Sequence, residues 1–196
     1  MDLILASASP ARARCLSEAG IDFCQKPSSV DEGVLKGRYG AGEESALAVA
    51  LSEEKAVAVS EGESGALVLG GDQVMVCEGR RMDKSGSLGQ AREDLAFLCG
   101  KSHELYSACA LAQNGEVVWS GVEKAVLSVR VLSSEEQESY LALLGEGALS
   151  VSGIYQLERG AYQIFSEIRG EYTAIMGLPM VLLLPELRKF AIKGLI

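Results

Sequence analysis

The 196-residue sequence has a single histidine, His103, which excludes a metal centre built from several imidazoles and leaves a Ser-His-Asp triad only one ring to use. It has neither a G-x-S-x-G elbow nor a G-x-x-x-x-G-K-[ST] loop, so the hydrolase and P-loop mechanisms tied to those motifs have no anchor in it. The five cysteines (Cys15, Cys24, Cys77, Cys99, Cys109) form no C-x-x-C pair, which points to reduced, mostly buried thiols and a cytoplasmic protein. No run approaches the roughly 20 apolar residues of a membrane span, and the late run Met180 to Leu184 stops at Pro185. Met1 to Ala6 has no basic residue ahead of its apolar segment and reads as a first strand rather than a secretory signal. Positive charge is also scarce: 18 Lys and Arg against 27 Asp and Glu give a net charge of −9. Such a chain has no general attraction for nucleic acid, and an anionic ligand must be met by a few cations gathered locally.

What is present is ordinary for a folded chain, 48% hydrophobic and 23% charged, and its length suits one domain over residues 1–196. Leu3 to Ala6 reads as a short strand. Ser9 then caps a helix with Pro10 at its first position, running to Ala19 and ending at Gly20. Ile21 to Cys24 reads as a second strand, followed by a polar loop from Lys26 to Gly42. Glu43 to Ser60 repeats Ala46, Ala50, Leu51, Ala56 and Val57 at helical intervals. Ala66 to Leu69 is a buried strand that ends at Gly70-Gly71-Asp72-Gln73 before Val74 to Cys77 resumes. A helix is expected from Leu88 to Cys99, then a long hairpin of Tyr106–Ala112 and Glu116–Val131 turning on Asn114-Gly115. Ser133 or Ser134 caps a helix through Leu144. The stretch from Gly145 is irregular, and a last helix follows Gly177-Leu178-Pro179 to about Lys189.

Three features bear on chemistry. In Leu5-Ala6-Ser7-Ala8-Ser9-Pro10-Ala11-Arg12 a strand feeds a tight loop onto a helix N-terminus, where free N–H groups attract anions and Arg12 adds a guanidinium. A plain capped helix explains Ser9 and Pro10 equally well. Gly70-Gly71-Asp72 puts a carboxylate after a buried strand, a usual place for a catalytic or metal-binding aspartate and an equally usual place for a turn. Asp31-Glu32 matters only if the fold brings one of the two near Asp72, where paired carboxylates hold a hard cation. Lys55 and Lys84 by themselves read as solvated lysines.

Taken together and in order, these motifs resemble the Maf family of nucleotide pyrophosphatases over nearly the whole chain. Leu3 to Pro10 is similar to its opening signature and Val30-Asp31-Glu32 to its acidic loop. Glu54-Lys55-Ala56 is similar to its helical lysine motif, Gly71-Asp72-Gln73-Val74 to its central G-x-D, and Gly177-Leu178-Pro179 to its closing G-L-P, with Lys84 at its second lysine. The resemblance implies a mixed α/β fold of the Maf and ITPase-like kind, an elongated twisted sheet flanked by helices in two lobes around a cleft. It implies hydrolysis between the α- and β-phosphates of a nucleoside triphosphate, with Mg²⁺ or Mn²⁺ held by Glu32 and Asp72. Asp72 would also activate water, while Ser7, Ser9, Arg12, Lys55 and Lys84 bind the triphosphate. Gln73 after Asp72 and Glu158 in Tyr155-Gln156-Leu157-Glu158 resemble the branch acting on 7-methyl-GTP rather than the one acting on dTTP and UTP. A cationic N7-methylguanine with N–H donors suits a carboxylate. Ala11, Ser85 and Arg159 depart from the family pattern, and Ser85 in place of proline is expected to loosen the loop carrying Lys84. The resemblance further implies a cytoplasmic house-cleaning enzyme, a homodimer as the assembly, and no nucleic-acid polymer or membrane as partner. The alternatives are a dTTP/UTP pyrophosphatase, or a catalytically weakened nucleotide-binding regulator of septum formation.

Overall fold

The computed structural model describes residues 1–149, 152–192 and 194–195, with backbone alone at 146 and 148. The first apolar run forms β1 (Leu3–Leu5), buried throughout. It pairs in parallel with β2 (Cys24–Gln25) on one side and β3 (Leu67–Cys77) on the other, Leu3 facing Leu67 and Leu5 facing Leu69. Parallel neighbours need crossovers. The first is α1 (Pro10–Glu18), started by Ser9, whose side chain accepts from Arg12 N, and followed by Gly20 at φ 71°. The second contains α2 (Glu32–Lys36) and α3 (Glu44–Ser60).

β3 turns back antiparallel into β4 (Arg80–Met82) and is followed by α4 (Leu88–Leu98). Then β5 (Ser102–Gln113) and β6 (Glu116–Val129) form the expected hairpin. Asn114 and Gly115 both take the positive φ that its two-residue turn demands, 52° and 81°. Next comes α5 (Ser134–Leu144), where Ser133 and Glu136 make a reciprocal capping box. Three short 3-10 turns (Gly145–Leu149, Leu157–Arg159, Ala161–Gln163) lead to β7 (Phe165–Arg169), antiparallel to β6. The chain closes with α6 (Tyr172–Ile175), α7 (Met180–Leu187) and a 3-10 turn, Arg188–Phe190. The seven strands make one mixed sheet in the order β2-β1-β3-β5-β6-β7, with β4 on β3. No helix among the described residues is long and apolar enough to cross a membrane.

The chain forms two compact units. One comprises Met1–Val74, Tyr106–Lys124 and Glu171–Ile196; the other comprises Met75–Leu105 and Ala125–Gly170. The chain passes between them inside β3, β5 and β6. In the first unit, α3 buries Leu47, Ala48, Leu51, Ala56 and Val59. Leu47 and Leu51 pack with Val74 and Ala108, while Ala56 and Val59 pack with Ile4, Val68 and Ala110. Each fully buried leucine contributes about 1.5–3 kcal/mol.

Several elements differ from the reading of the sequence: the second strand is Cys24–Gln25 rather than Ile21–Cys24, and the first hairpin strand starts at Ser102 rather than Tyr106. β3 runs unbroken through Gly70-Gly71-Asp72-Gln73, so Asp72 lies within a strand and not in a loop after one. The two glycines are there for close approach rather than for a turn. A Cβ on Gly70 would strike the Ser52 carbonyl oxygen and lie 2.8 Å from Ala56 N, so α3 presses directly on the strand backbone. A Cβ on Gly71 would lie 3.2 Å from Arg12 Cδ and Nε. The polar loop from Lys26 to Gly42 contains α2, started by Asp31, whose carboxylate accepts from Gly33 N at 2.9 Å. The irregular stretch from Gly145 contains β7, an exposed edge strand without alternating hydrophobicity of its own.

Candidate active site

The first unit brings Glu32, Lys55 and Asp72 together. α3 projects Lys55 against β3, where its ammonium donates to Asp72 Oδ1 at 2.6 Å. Glu32 Oε1, in the first turn of α2, lies 2.6 Å from the same nitrogen, and Lys36 lies 3.5 Å from Glu32 Oε2. The Lys55 and Asp72 side chains are nearly enclosed, at 11% and 10% exposure, while Glu32 keeps 39% open. Partial burial raises the Glu32 carboxyl, but its hydrogen bond to Lys55 and the charges of Lys55 and Lys36 outweigh that and hold it below its ordinary value. Of the acidic pair, then, Glu32 reaches the Asp72 neighbourhood through Lys55, and Asp31 serves as a helix cap.

Beside this triad sits the loop between β1 and α1. Ser7, buried, accepts at Oγ from Ser9 N at 3.2 Å and from Arg12 Nη1 at 3.0 Å. Ser9 Oγ accepts from Arg12 N at 3.4 Å. The Arg12 Nε–H donates to the Gly177 carbonyl at 2.8 Å. The Arg12 side chain lies over Gly71, next in sequence to Asp72, where a Cβ would meet its Cδ and Nε tightly, at 3.2 Å. Burial lowers its proton affinity, while the charges of Asp72 and Glu32 raise it in part. Two of its three nitrogens are held by the protein. Nη2 has no protein acceptor among the described residues.

Gln73 is engaged differently from a base reader. Its amide nitrogen donates to Ser107 Oγ at 2.7 Å and to the Ala174 and Ile175 carbonyls at 3.1 Å each. Lys84 and Glu158 belong to the second unit and are both exposed. Lys84 makes an isolated antiparallel bridge with Ser152, and Glu158 sits in the 3-10 turn Leu157–Arg159. Ser85, expected to loosen its loop, is tied to α4. It is buried and donates to Asp94 Oδ2 at 2.9 Å, on a carboxylate that also takes Arg80 at 2.8 Å. The sequence reading passes over two participants, Ser107 and the Gly177 carbonyl. The only signal for the first is a lone hydroxyl ahead of the apolar strand run Ala108 to Ala112.

Among the described residues no group of three or more His, Cys, Asp or Glu gathers as a metal site. The Glu32 and Asp72 carboxylates converge on one cationic atom, Lys55 Nζ, at 2.6 Å, and are the oxygen donors there that suit a hard cation. Mg²⁺ is commonly bound through one or two carboxylates, completing its shell with water and substrate phosphate.

The fold and site thus define a mixed α/β protein in which α1, α2 and α3 bring an arginine, a carboxylate and a lysine to the Asp72 carboxylate of β3. Residues 2–190 match the model of the Maf-like protein family. The chain is 43% identical over 189 residues to a 7-methyl-GTP pyrophosphatase of Rhizobium meliloti, covering 95% of each chain. It is 40% identical to a 7-methyl-GTP pyrophosphatase of Bartonella henselae, covering 97% of this chain and 96% of that one. It is also 40% identical to a nucleoside triphosphate pyrophosphatase of Rhodopseudomonas palustris, covering 95% and 93%. The chain belongs to the Maf family.

Proposed function

We propose that this chain is a nucleoside triphosphate pyrophosphatase that cleaves between the α- and β-phosphates, releasing a nucleoside monophosphate and pyrophosphate. The observation that carries the reading is the Glu32–Lys55–Asp72 triad with Arg12 laid over Gly71 beside it. The names of the relatives support it, and those of two of them favour 7-methyl-GTP as substrate in a house-cleaning role.

In this reading Asp72 takes the proton from the attacking water. Its Oδ1 is occupied by Lys55, so Oδ2, which has no protein partner among the described residues, is the accepting atom. The water oxygen bonds to the α-phosphorus, and the bond from that phosphorus to the bridging oxygen breaks with its electron pair leaving on pyrophosphate. Charge develops on the leaving group, and preorganised cations stabilise such charge. Arg12 supplies one through Nη2 and Lys55 another. Ser7 and Ser9 shape the loop that holds Arg12, and by family position Lys84 and Glu158 are assigned to substrate as well. Glu32 and Asp72 would hold a divalent cation, Mg²⁺ or Mn²⁺, whose chemistry is to polarise phosphate oxygens.

The test is pyrophosphate release, detected as phosphate after coupling to an inorganic pyrophosphatase, over a nucleotide panel with Mg²⁺ or Mn²⁺. Turnover of at least one triphosphate is expected, with Asp72→Asn reducing kcat at least about 100-fold, as loss of a general base does. No turnover of any triphosphate by the folded protein removes the enzyme reading and leaves a nucleotide-binding regulator.

A further inference from the structure

We infer that Ser107 is a positioning residue: with Gln73 it forms a buried strut that sets the direction of the Arg12 guanidinium through the backbone of α6 and Gly177. The inference rests on the phosphate-site reading given above and assigns a function to a residue that touches no ligand.

The strut is a continuous chain of hydrogen bonds within the first unit. Ser107 is 1% exposed on β5. Its hydroxyl accepts from Gln73 Nε2 at 2.7 Å and donates to the Ala174 carbonyl at 2.6 Å. The same carbonyl also accepts from Gln73 Nε2 at 3.1 Å and from Gly177 N at 2.9 Å. Three donors therefore meet on one oxygen, which makes Ala174 the node between the sheet and the turn that follows α6. The next link is Gly177 itself. Its amide is tied to the node and its carbonyl receives Arg12 Nε at 2.8 Å. Gly177 has φ +96°, a turn conformation that calls for glycine, and a Cβ there would meet Arg12 Nε at 3.5 Å, an ordinary contact.

α6 is four residues long, with Ala174 and Ile175 buried. Glu171 caps it, accepting from Thr173 N and Ala174 N at 2.9 Å each. The strut attaches it to β3 and β5, the strands that carry Asp72 and Ser107. Asp72 and Gln73 are adjacent in β3, so the residue proposed as base and the residue that anchors α6 move as one. An arginine fork gains from being held before the ligand arrives, because less freedom is lost on binding. Removing the Ser107 hydroxyl leaves the Gly177 carbonyl less firmly placed and frees the fork to turn.

A double-mutant cycle on inorganic pyrophosphate affinity tests this, with pyrophosphate titrated calorimetrically into wild type, Ser107→Ala, Arg12→Lys and the double variant. Arg12→Lys keeps the charge but loses the fork and its Nε–H. Ser107→Ala is expected to weaken pyrophosphate about fivefold in the wild-type background, the effect of one lost hydrogen bond. In the Arg12→Lys background it is expected to weaken pyrophosphate by less than about twofold, the coupling of residues that share one network. The same fold-loss in both backgrounds, or no loss in either, overturns the inference, since a merely structural serine weakens both proteins alike. If Ser107→Ala does not fold, Gln73→Met enters the same cycle with the same expected outcomes. Wild type that hydrolyses triphosphates while the cycle is additive overturns the strut alone; wild type that neither hydrolyses triphosphates nor binds pyrophosphate overturns the proposed function and the strut together.

Discussion

Burying a lysine ammonium costs several kcal/mol unless opposite charge and hydrogen bonds surround it. Lys55, 9% exposed, is tolerated because Glu32 and Asp72 both lie 2.6 Å from its nitrogen. Removing either carboxylate leaves a buried charge half-compensated, so the site is held together by the same groups that give it chemistry. His103 shows the opposite solution. It is 1% exposed on β5, hydrogen-bonded to the Tyr155 hydroxyl at 2.7 Å, and has no charged partner among the described residues. Its Nδ1 is buried without a partner among the described residues. Burial pushes the imidazole from 6.5 down to about 4. The unfolded chain therefore takes up this proton first, and stability falls as pH drops from 6.5 toward 4. At pH 5 the loss from this one residue is about 2 kcal/mol relative to neutral pH. Urea unfolding of wild type and His103→Gln at pH 7 and pH 5 measures it: the variant should lose less stability between the two values, and equal losses would mean that His103 is not held neutral.

At the scale of elements, the contact between α3 and β3 sets the distance from Lys55 to Asp72, and Gly70 is its closest point. Gly70→Ala places a methyl group 2.8 Å from Ala56 N and against the Ser52 carbonyl, both backbone atoms that cannot rotate away. Overpacking of this kind costs about 1–3 kcal/mol. An unfolding free energy lower by that amount, read as a lower urea midpoint, is expected, with a loss of kcat as the Lys55–Asp72 pair separates. An unchanged midpoint would show that α3 can lift from the strand freely. The same glycine marks the boundary of what the sequence made legible. Elements with local signals were readable: α1 from Ser9-Pro10, α5 from its capping serine and glutamates, the β5–β6 hairpin from Asn114-Gly115. Gly70-Gly71 resembles punctuation, because no local rule distinguishes a glycine that turns the chain from one that admits another backbone. α2 is too short to show a period, and β7 is specified by pairing with β6 rather than by its own residues. In the site, the motifs named Arg12, Glu32, Lys55 and Asp72 as candidates. Gln73's engagement with α6 was hidden because its acceptors are backbone carbonyls, which carry no sequence signature.

Over the whole molecule the net charge of −9 repels every nucleoside triphosphate. The repulsion falls nearly equally on all members of a substrate panel, since each carries the same polyphosphate. It largely cancels from a ratio of kcat/KM values, which isolates the base. An N7-methylated guanine differs in bearing a positive charge, which an acidic protein attracts, and in offering N–H donors to a carboxylate. Glu158 is the carboxylate assigned to it by family position, and its exposure limits the gain to about 1 kcal/mol, or about fivefold. The expected outcome is kcat/KM for 7-methyl-GTP above that for dTTP and UTP, with Glu158→Gln narrowing the ratio by about that factor. Because exposed charges are screened within about 10 Å at 0.1 M salt, added salt should narrow the wild-type ratio more than that of Glu158→Gln. A ratio favouring dTTP or UTP, or one that Glu158→Gln leaves unchanged, would move base recognition away from Glu158 while leaving the phosphate chemistry of Asp72, Lys55 and Arg12 untouched.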